Sequence, residues 1–350
     1  MLCTMTAGDV AQLRQLGPYR IVRRLGAGGM AEVHLARRFG ASGWEKDVAI
    51  KVLRAEQRGR ADLERLLIAE ARLGARFDHP GLVAVHDLGL ADGVYFVCMD
   101  YVDGGDLRSL LRRRALPQRL ALYIGEELAA ALAYVHSLTD ARGLGLGLVH
   151  RDVSPGNVLL SRSGAVKLSD FGIAKATAAA DRTWGRLHKG KYAYMAPEQI
   201  VGDPLSGSAD IFALGVTLHE LLLGRRPFDR IVRPNRPNRA EHGPTADGPL
   251  AAMEAIRRAE LPADHDFRGL SPGVIALLRR CLAREPDDRY ASAAQLARAL
   301  AVERRDLPPA GALDLAAWVL SVAEKGPRSD TDGEPTTLGM DELEDPGDPR

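Results

Sequence analysis

The chain has 350 residues, 46% apolar and 27% charged, a globular composition long enough for two domains or one large bilobal one. Lys plus Arg number 47 against 46 Asp plus Glu, so no bulk charge draws the protein to nucleic acid or an acidic membrane surface. Cys3, Cys98 and Cys281 form no metal or redox spacing, the N-terminus lacks a signal-peptide core, and the apolar run Ala316 to Val322 is too short for a span of ~20 residues; these features predict a cytoplasmic protein with no nucleic-acid partner and no membrane span.

Residues 1–18 read as a short N-terminal extension. From Tyr19 to Leu53 the segments YRIVRRLG, AEVHLARR and VAIKVL are short and rich in β-formers, with glycines between the first two. A helix follows over about Ala61 to Phe77, with Leu63, Leu66, Leu67, Leu73 and Phe77 near helical spacing. LVAVHDLGL and VYFVCMDYV then flank the turn pair Asp92-Gly93, a hairpin signature. Beyond Gly105 the pattern becomes helical. RLALYIGEELAAALAYVHS is amphipathic, whereas ADIFALGVTLHELLLG is apolar nearly all round and is expected inside a domain. Pro234, Pro237, Pro244 and Pro249 mark a solvent loop over residues 230–249, and helices resume to about Val302. Residues 327–350 hold eight acidic residues, two basic residues and no aromatics, which predicts a disordered acidic tail. The predicted fold class is α+β and bilobal. A small antiparallel β lobe with one helix (19–102) precedes a larger, mainly helical lobe (103–305), and a C-terminal helical extension (306–326) leads to the tail. A cleft between lobes is a favoured place for a ligand.

Four constellations carry chemistry. Leu25-Gly26-Ala27-Gly28-Gly29-Met30-Ala31-Glu32-Val33 lies between two strand-like runs; in such a hairpin turn, glycines let backbone N–H groups approach phosphate oxygens. Lys51 ends Val48-Ala49-Ile50-Lys51, and Glu70 sits on the apolar stripe of the following helix. A carboxylate on a buried face requires a cation, and Lys51 on the adjoining strand is the natural one. His150-Arg151-Asp152-Val153-Ser154-Pro155-Gly156-Asn157 and Asp170-Phe171-Gly172 add a carboxylate able to accept a hydroxyl proton, and an Asn and an Asp able to hold Mg²⁺ through oxygen.

This set, completed by Ala196-Pro197-Glu198, resembles the protein-kinase signature in order, over about Tyr19 to Arg305, a family that is a standard template for phosphoryl transfer. The resemblance implies an enzyme using ATP and Mg²⁺ on protein substrates. The Gly-rich loop, Leu25 to Val33, would cover the phosphates. Lys51 would contact the α- and β-phosphates and pair with Glu70, Asp152 would be the catalytic base, and Asn157 and Asp170 would bind magnesium. Ala49 would line the nucleotide site, Met99 resembles the gatekeeper, and Asp100 to Val102 resembles the hinge. Asp210 would tether the catalytic loop, and Glu198 would pair with Arg289. Pro155 and Tyr194-Met195-Ala196-Pro197-Glu198-Gln199 are similar to serine/threonine kinases, in a bacterial style. Autophosphorylation of Thr183 in the loop after Asp170-Phe171-Gly172, by self-association in trans, is a further expectation.

Three departures stand out. Ser154 replaces the lysine that usually contacts the γ-phosphate, and Lys191 replaces a threonine that usually contacts the catalytic Asp. Gly74 stands where a bulky residue normally links the helix to Phe171. Lys191 is expected to supply the missing charge beside Asp152. The readings against an active protein kinase are a nucleotide-binding pseudokinase scaffold and a small-molecule kinase of similar fold.

Overall fold

The computed structural model describes residues 14–172, 192–228, 248–258, 267 and 269–324. Its first sheet is antiparallel. Strands β1 (Gln15–Leu16), β2 (Tyr19–Ala27), β3 (Ala31–Phe39), β4 (Glu45–Leu53), β5 (Val85–Ala91) and β6 (Val94–Asp100) are arranged in the order β1-β2-β3-β4-β6-β5. β4 is buried on both faces from Val48 to Leu53, which fits its central place. Val48, Ile50 and Val52 pack with Leu16, Tyr19, Phe96 and Cys98, while Leu53 joins the cluster beneath helix α1 (Ala61–Gly74). Lys51 points to that same side, into the cleft. Asp92 and Gly93 take φ values of 50° and 76°, as the tight hairpin between β5 and β6 requires.

The second lobe begins with β7 (Gly105–Asp106) and α2 (Leu107–Arg113), followed by α3 (Gln118–His136). Strands β8 (Val158–Leu160) and β9 (Val166–Leu168) pair with β7 into a small three-stranded sheet, and the loop of residues 150–157 runs directly into β8. α4 (Pro197–Val201) leads to α5 (Gly207–Leu223), the helix read as buried, whose residues 209–219 are all buried. α6 (Gly248–Arg258), α7 (Pro272–Cys281), α8 (Ala293–Glu303) and α9 (Ala312–Glu324) complete the described helices.

The sequence reading placed α1 three residues too long at its C-terminal end and missed β1, β7 and β8. α9 does not stand apart from the lobe. Leu315, Trp318, Val319 and Val322 belong to its principal core, and Trp318 Nε1 donates to the Ala115 carbonyl at 3.3 Å. Arg119 bridges to Asp314 at 3.1 Å. The acidic tail 327–350 and most of the loop read at 230–249 lie outside the described residues.

Candidate active site

The cleft is organised around one ammonium. Lys51 Nζ lies 2.7 Å from Glu70 Oε1 and 2.8 Å from Asp170 Oδ1. Burial alone would lower the Lys51 pKa, but the carboxylates of Asp170 and Glu70 outweigh it and hold the group above its ordinary value. Burial pushes the Glu70 carboxyl up, opposed by Lys51. Strand β4, helix α1 and the Asp170-Phe171-Gly172 turn are therefore tied through a single side chain. Phe171 packs between Phe77 and His150, with ring centroids 4.5 Å from each, which fixes Asp170 facing the cleft. Burial pushes the His150 imidazole down, so it packs as a neutral ring.

The loop of residues 150–157 is held from below. Asp210, fully buried near the start of α5, accepts from the His150 N–H at 2.7 Å and the Arg151 N–H at 2.8 Å, and its Oδ2 lies 2.8 Å from His136 Nε2. Asn157 Nδ2 donates to the Asp152 carbonyl at 2.8 Å, Gln199 Nε2 to the Arg151 carbonyl at 3.1 Å, and the Gly172 N–H to the His150 carbonyl at 2.9 Å. Arg151 and Asp170 have φ of 67° and 57°. Left-handed backbone at non-glycine residues costs about 1–3 kcal/mol each and persists where its surroundings over-determine it; the bonds just named supply that constraint.

The glycine hairpin and the strands β3, β4 and β6 are in register with this centre. Gly28 N–H donates to the Ala31 carbonyl at 2.7 Å, closing a hairpin of Gly28, Gly29, Met30 and Ala31. Gly26 pairs with Val33 across the two strands, Val33 with Lys51, and Ala49 with Met99. Leu25 and Ala27 are exposed on the hairpin. Met30 and Glu32 are taken up structurally: Met30 packs on the cluster under α1, and Glu32 lies 3.6 Å from Arg58. At the hinge, the Asp100 N–H is already committed to the Ala84 carbonyl at 2.9 Å. The Asp100 carboxylate meets Lys167 at 3.1 Å and His86 at 2.8 Å. Burial would raise the Asp100 pKa, but the bonds from Lys167 and His86 bring it below its usual range.

Gly74 does not leave the helix unsupported. A Cβ there would sit 2.5 Å from Val85 Cγ2, so Val85 of β5 fills the space that a larger residue would take. A cavity of about 40 Å³, lined by Lys51, Glu70, Gly74, Val85, Met99 and Phe171 among others, remains behind the hinge. Ser154 is fully buried and its Oγ has no hydrogen-bond partner among the described residues. Lys191 and Thr183 lie outside the described residues. Glu198 and Arg289 form a buried bidentate pair at 2.6 and 2.8 Å. Sequence reasoning missed the His136 contact to Asp210 and the Asp100–Lys167–His86 group; their partners are far apart in the chain and no motif joins them.

Asp170 and Asn157 offer hard oxygen donors suited to magnesium. Among the described residues no cluster of three or more His, Cys, Asp or Glu is gathered for a metal. No helix among the described residues is long and apolar enough to cross a membrane.

The family model of the protein kinase domain matches residues 19–300. The tyrosine-protein kinase MasK of Myxococcus xanthus is 38% identical over 320 residues, covering 89% of this chain and 47% of the relative. The serine/threonine-protein kinase PknJ of Mycobacterium tuberculosis is 35% identical, covering 81% of this chain and 45% of the relative. The chain thus spans about half the length of these curated relatives. Among solved structures, the PknI kinase domain of M. tuberculosis is similar with a TM-score of 0.58 and 32% identity, covering 82% of this chain and 96% of that one. By this match and by the ordered set from the glycine hairpin to Ala196-Pro197-Glu198, the chain belongs to the protein kinase domain family.

Proposed function

We propose that the chain transfers the γ-phosphoryl group of ATP to serine and threonine hydroxyls of protein substrates. The observation that carries this reading is Lys51 joined to both Glu70 and Asp170, beside a catalytic loop anchored on Asp210. Asp152 accepts the proton of the substrate hydroxyl. Lys51 orients the α- and β-phosphates beneath the glycine hairpin. The carbonyl of Asp100 and the N–H of Val102 hold the adenine. Asn157 and Asp170 would hold magnesium, which neutralises the charge developing on the phosphate oxygens. The intact ion-pair frame is the reason to prefer catalysis over a nucleotide-binding scaffold. A cytoplasmic setting suits it, with Cys98 and Cys281 both free.

Hydroxyl specificity has two readings. Pro155 and Tyr194-Met195-Ala196-Pro197-Glu198 support serine/threonine, as does the name of PknJ. The name of the Myxococcus relative favours tyrosine. Phosphoamino-acid analysis after incubation with Mg-ATP and a mixed peptide pool decides, with Asp152→Asn as the inactive control. Phosphotyrosine alone would reject the serine/threonine reading, and transfer undiminished in the Asp152→Asn control would reject the proposed base.

Autophosphorylation of Thr183 in trans, and Lys191 as a substitute for the lysine absent at Ser154, remain part of the proposal. An ammonium on a flexible stem can serve phosphate as a point charge. Lys191→Thr should lower transfer by about 10²–10³, and adding Ser154→Lys should restore much of it. Since Ser154 is fully buried, the double variant is compared at matched melting temperature. An unchanged rate in Lys191→Thr would refute the substitution.

A further inference from the structure

Arg108, the second residue of α2, lays its guanidinium against the catalytic loop. A Cβ built on Gly156 would sit 3.2 Å from Arg108 Cζ, 3.3 Å from Nη2 and 3.5 Å from Nε. The glycine leaves room for the whole planar group to approach the backbone between Pro155 and Asn157, on the loop that carries Asp152.

Arg108 is partly buried, and its guanidinium makes no hydrogen bond or ion pair with the described residues. Two arginines of the same segment are engaged: Arg112 donates to Ser109 Oγ at 2.9 Å and Arg114 to Ser321 Oγ at 2.5 Å. The carboxylates closest in sequence are committed to backbone. Asp106 accepts from the Ser109 N–H at 2.9 Å, and Asp103 from the Arg162 N–H at 3.0 Å. The charge of Arg108 also bears on the Tyr194 phenol, whose ring lies under Arg226 at 5.9 Å. Arg108 thus stands between the catalytic loop and the residues leading into Ala196-Pro197-Glu198.

The guanidinium is charged and stays within reach of water beside the loop that carries Asp152, and a carboxylate is the partner that matches its planar fork. We infer that Arg108 is a substrate-specificity residue whose guanidinium binds a carboxylate side chain flanking the acceptor hydroxyl, so that this kinase selects acidic protein segments. The inference rests on the kinase reading given above.

The test uses the full chain and peptides carrying one acceptor, with Glu, Gln or Lys placed in turn at each flanking position. Transfer is measured as kcat and KM. Binding of fluorescein-labelled peptides is measured by anisotropy, which needs no transfer. The parent should favour Glu over Gln at one position or more by about ten- to a hundredfold, expressed in KM. Arg108→Gln should bring that ratio to about one, and Arg108→Glu should turn the preference toward Lys, an inversion that a merely structural arginine would not produce. No Glu preference in parent binding at any position would overturn the inference, as would a preference that survives both substitutions. If acid-selective binding depends on Arg108 but no peptide is phosphorylated, the kinase reading fails and the binding site stands. If transfer is robust yet indifferent to Glu, only the specificity assignment fails.

Discussion

Each lobe contains a buried ion pair, and the two are built differently. In the C-terminal lobe, Arg289 spends all its donor groups. Nη1 and Nη2 grip Glu198 at 2.6 and 2.8 Å, and the same nitrogens with Nε reach the carbonyls of Ser208, Arg284 and Ala283 at 2.8–3.0 Å. The cation also sits 5.0 Å over the Phe212 ring. In the cleft, Lys51 divides one ammonium between two carboxylates from different elements, and the side chain of one of them, Asp170, is 42% exposed. A saturated fork holds one geometry. A point charge shared by two acceptors beside a cavity can transfer part of its interaction to a phosphate. The comparison shows that burial alone does not make an ion pair structural; the number of partners and the openness of the surroundings decide.

Mutation separates the two. Lys51→Met should cut transfer about a thousandfold, since it removes a positioned cation from the phosphates, while the melting temperature changes little. Near-parent turnover in a folded Lys51→Met protein would undo the distinction. Arg289→Ala should do the reverse at first, destabilising the fold by about 3 kcal/mol by leaving Glu198 buried and unpaired. Urea denaturation measures it, and a loss under about 1 kcal/mol would contradict the saturated-fork description.

The N-terminal lobe sharpens the comparison at smaller scale. Gly74→Val should cost about 2 kcal/mol by overpacking against Val85 and push α1 outward, raising the KM for ATP. Val85→Ala in the same chain should recover most of the loss. Failure of that rescue would show that Val85 does not fill the glycine's space. The smallest effect concerns pH. The Asp100 carboxyl is held below its ordinary range in the folded protein, so its contribution is present above the unfolded value of about 3.9 and is lost as pH falls through the folded value. The stability gap between the parent and Asp100→Asn should be about 1 kcal/mol near neutrality and close below pH 4. A gap that is constant across that range would exclude the carboxylate as its source.

Legibility in the sequence followed the physics of range. The long strands and buried helices could be read because period and apolarity extend over many residues, as in β4 and α5. β1 and β7, at two residues each, are too short to show a period. Lys51 and Glu70 were legible because a carboxylate on an apolar stripe calls for a cation on a neighbouring element. His136 was not, because its partner Asp210 is 74 positions away. Gly74 was visible as a gap but not as a filled one, since Val85 arrives from β5, eleven positions further on. Arg108 gave no signal because its site is created by a missing side chain at Gly156.

α9 has a practical consequence for defining the unit that folds. The family match ends at residue 300, yet Leu315, Trp318, Val319 and Val322 are buried in the lobe's principal core. A cut at the end of the match would expose a hydrophobic trough on the lobe's flank and leave Ala115 without the Trp318 donor. A fragment meant to keep this core intact should therefore run through Glu324, and any appended reporter or affinity handle should be joined beyond that helix.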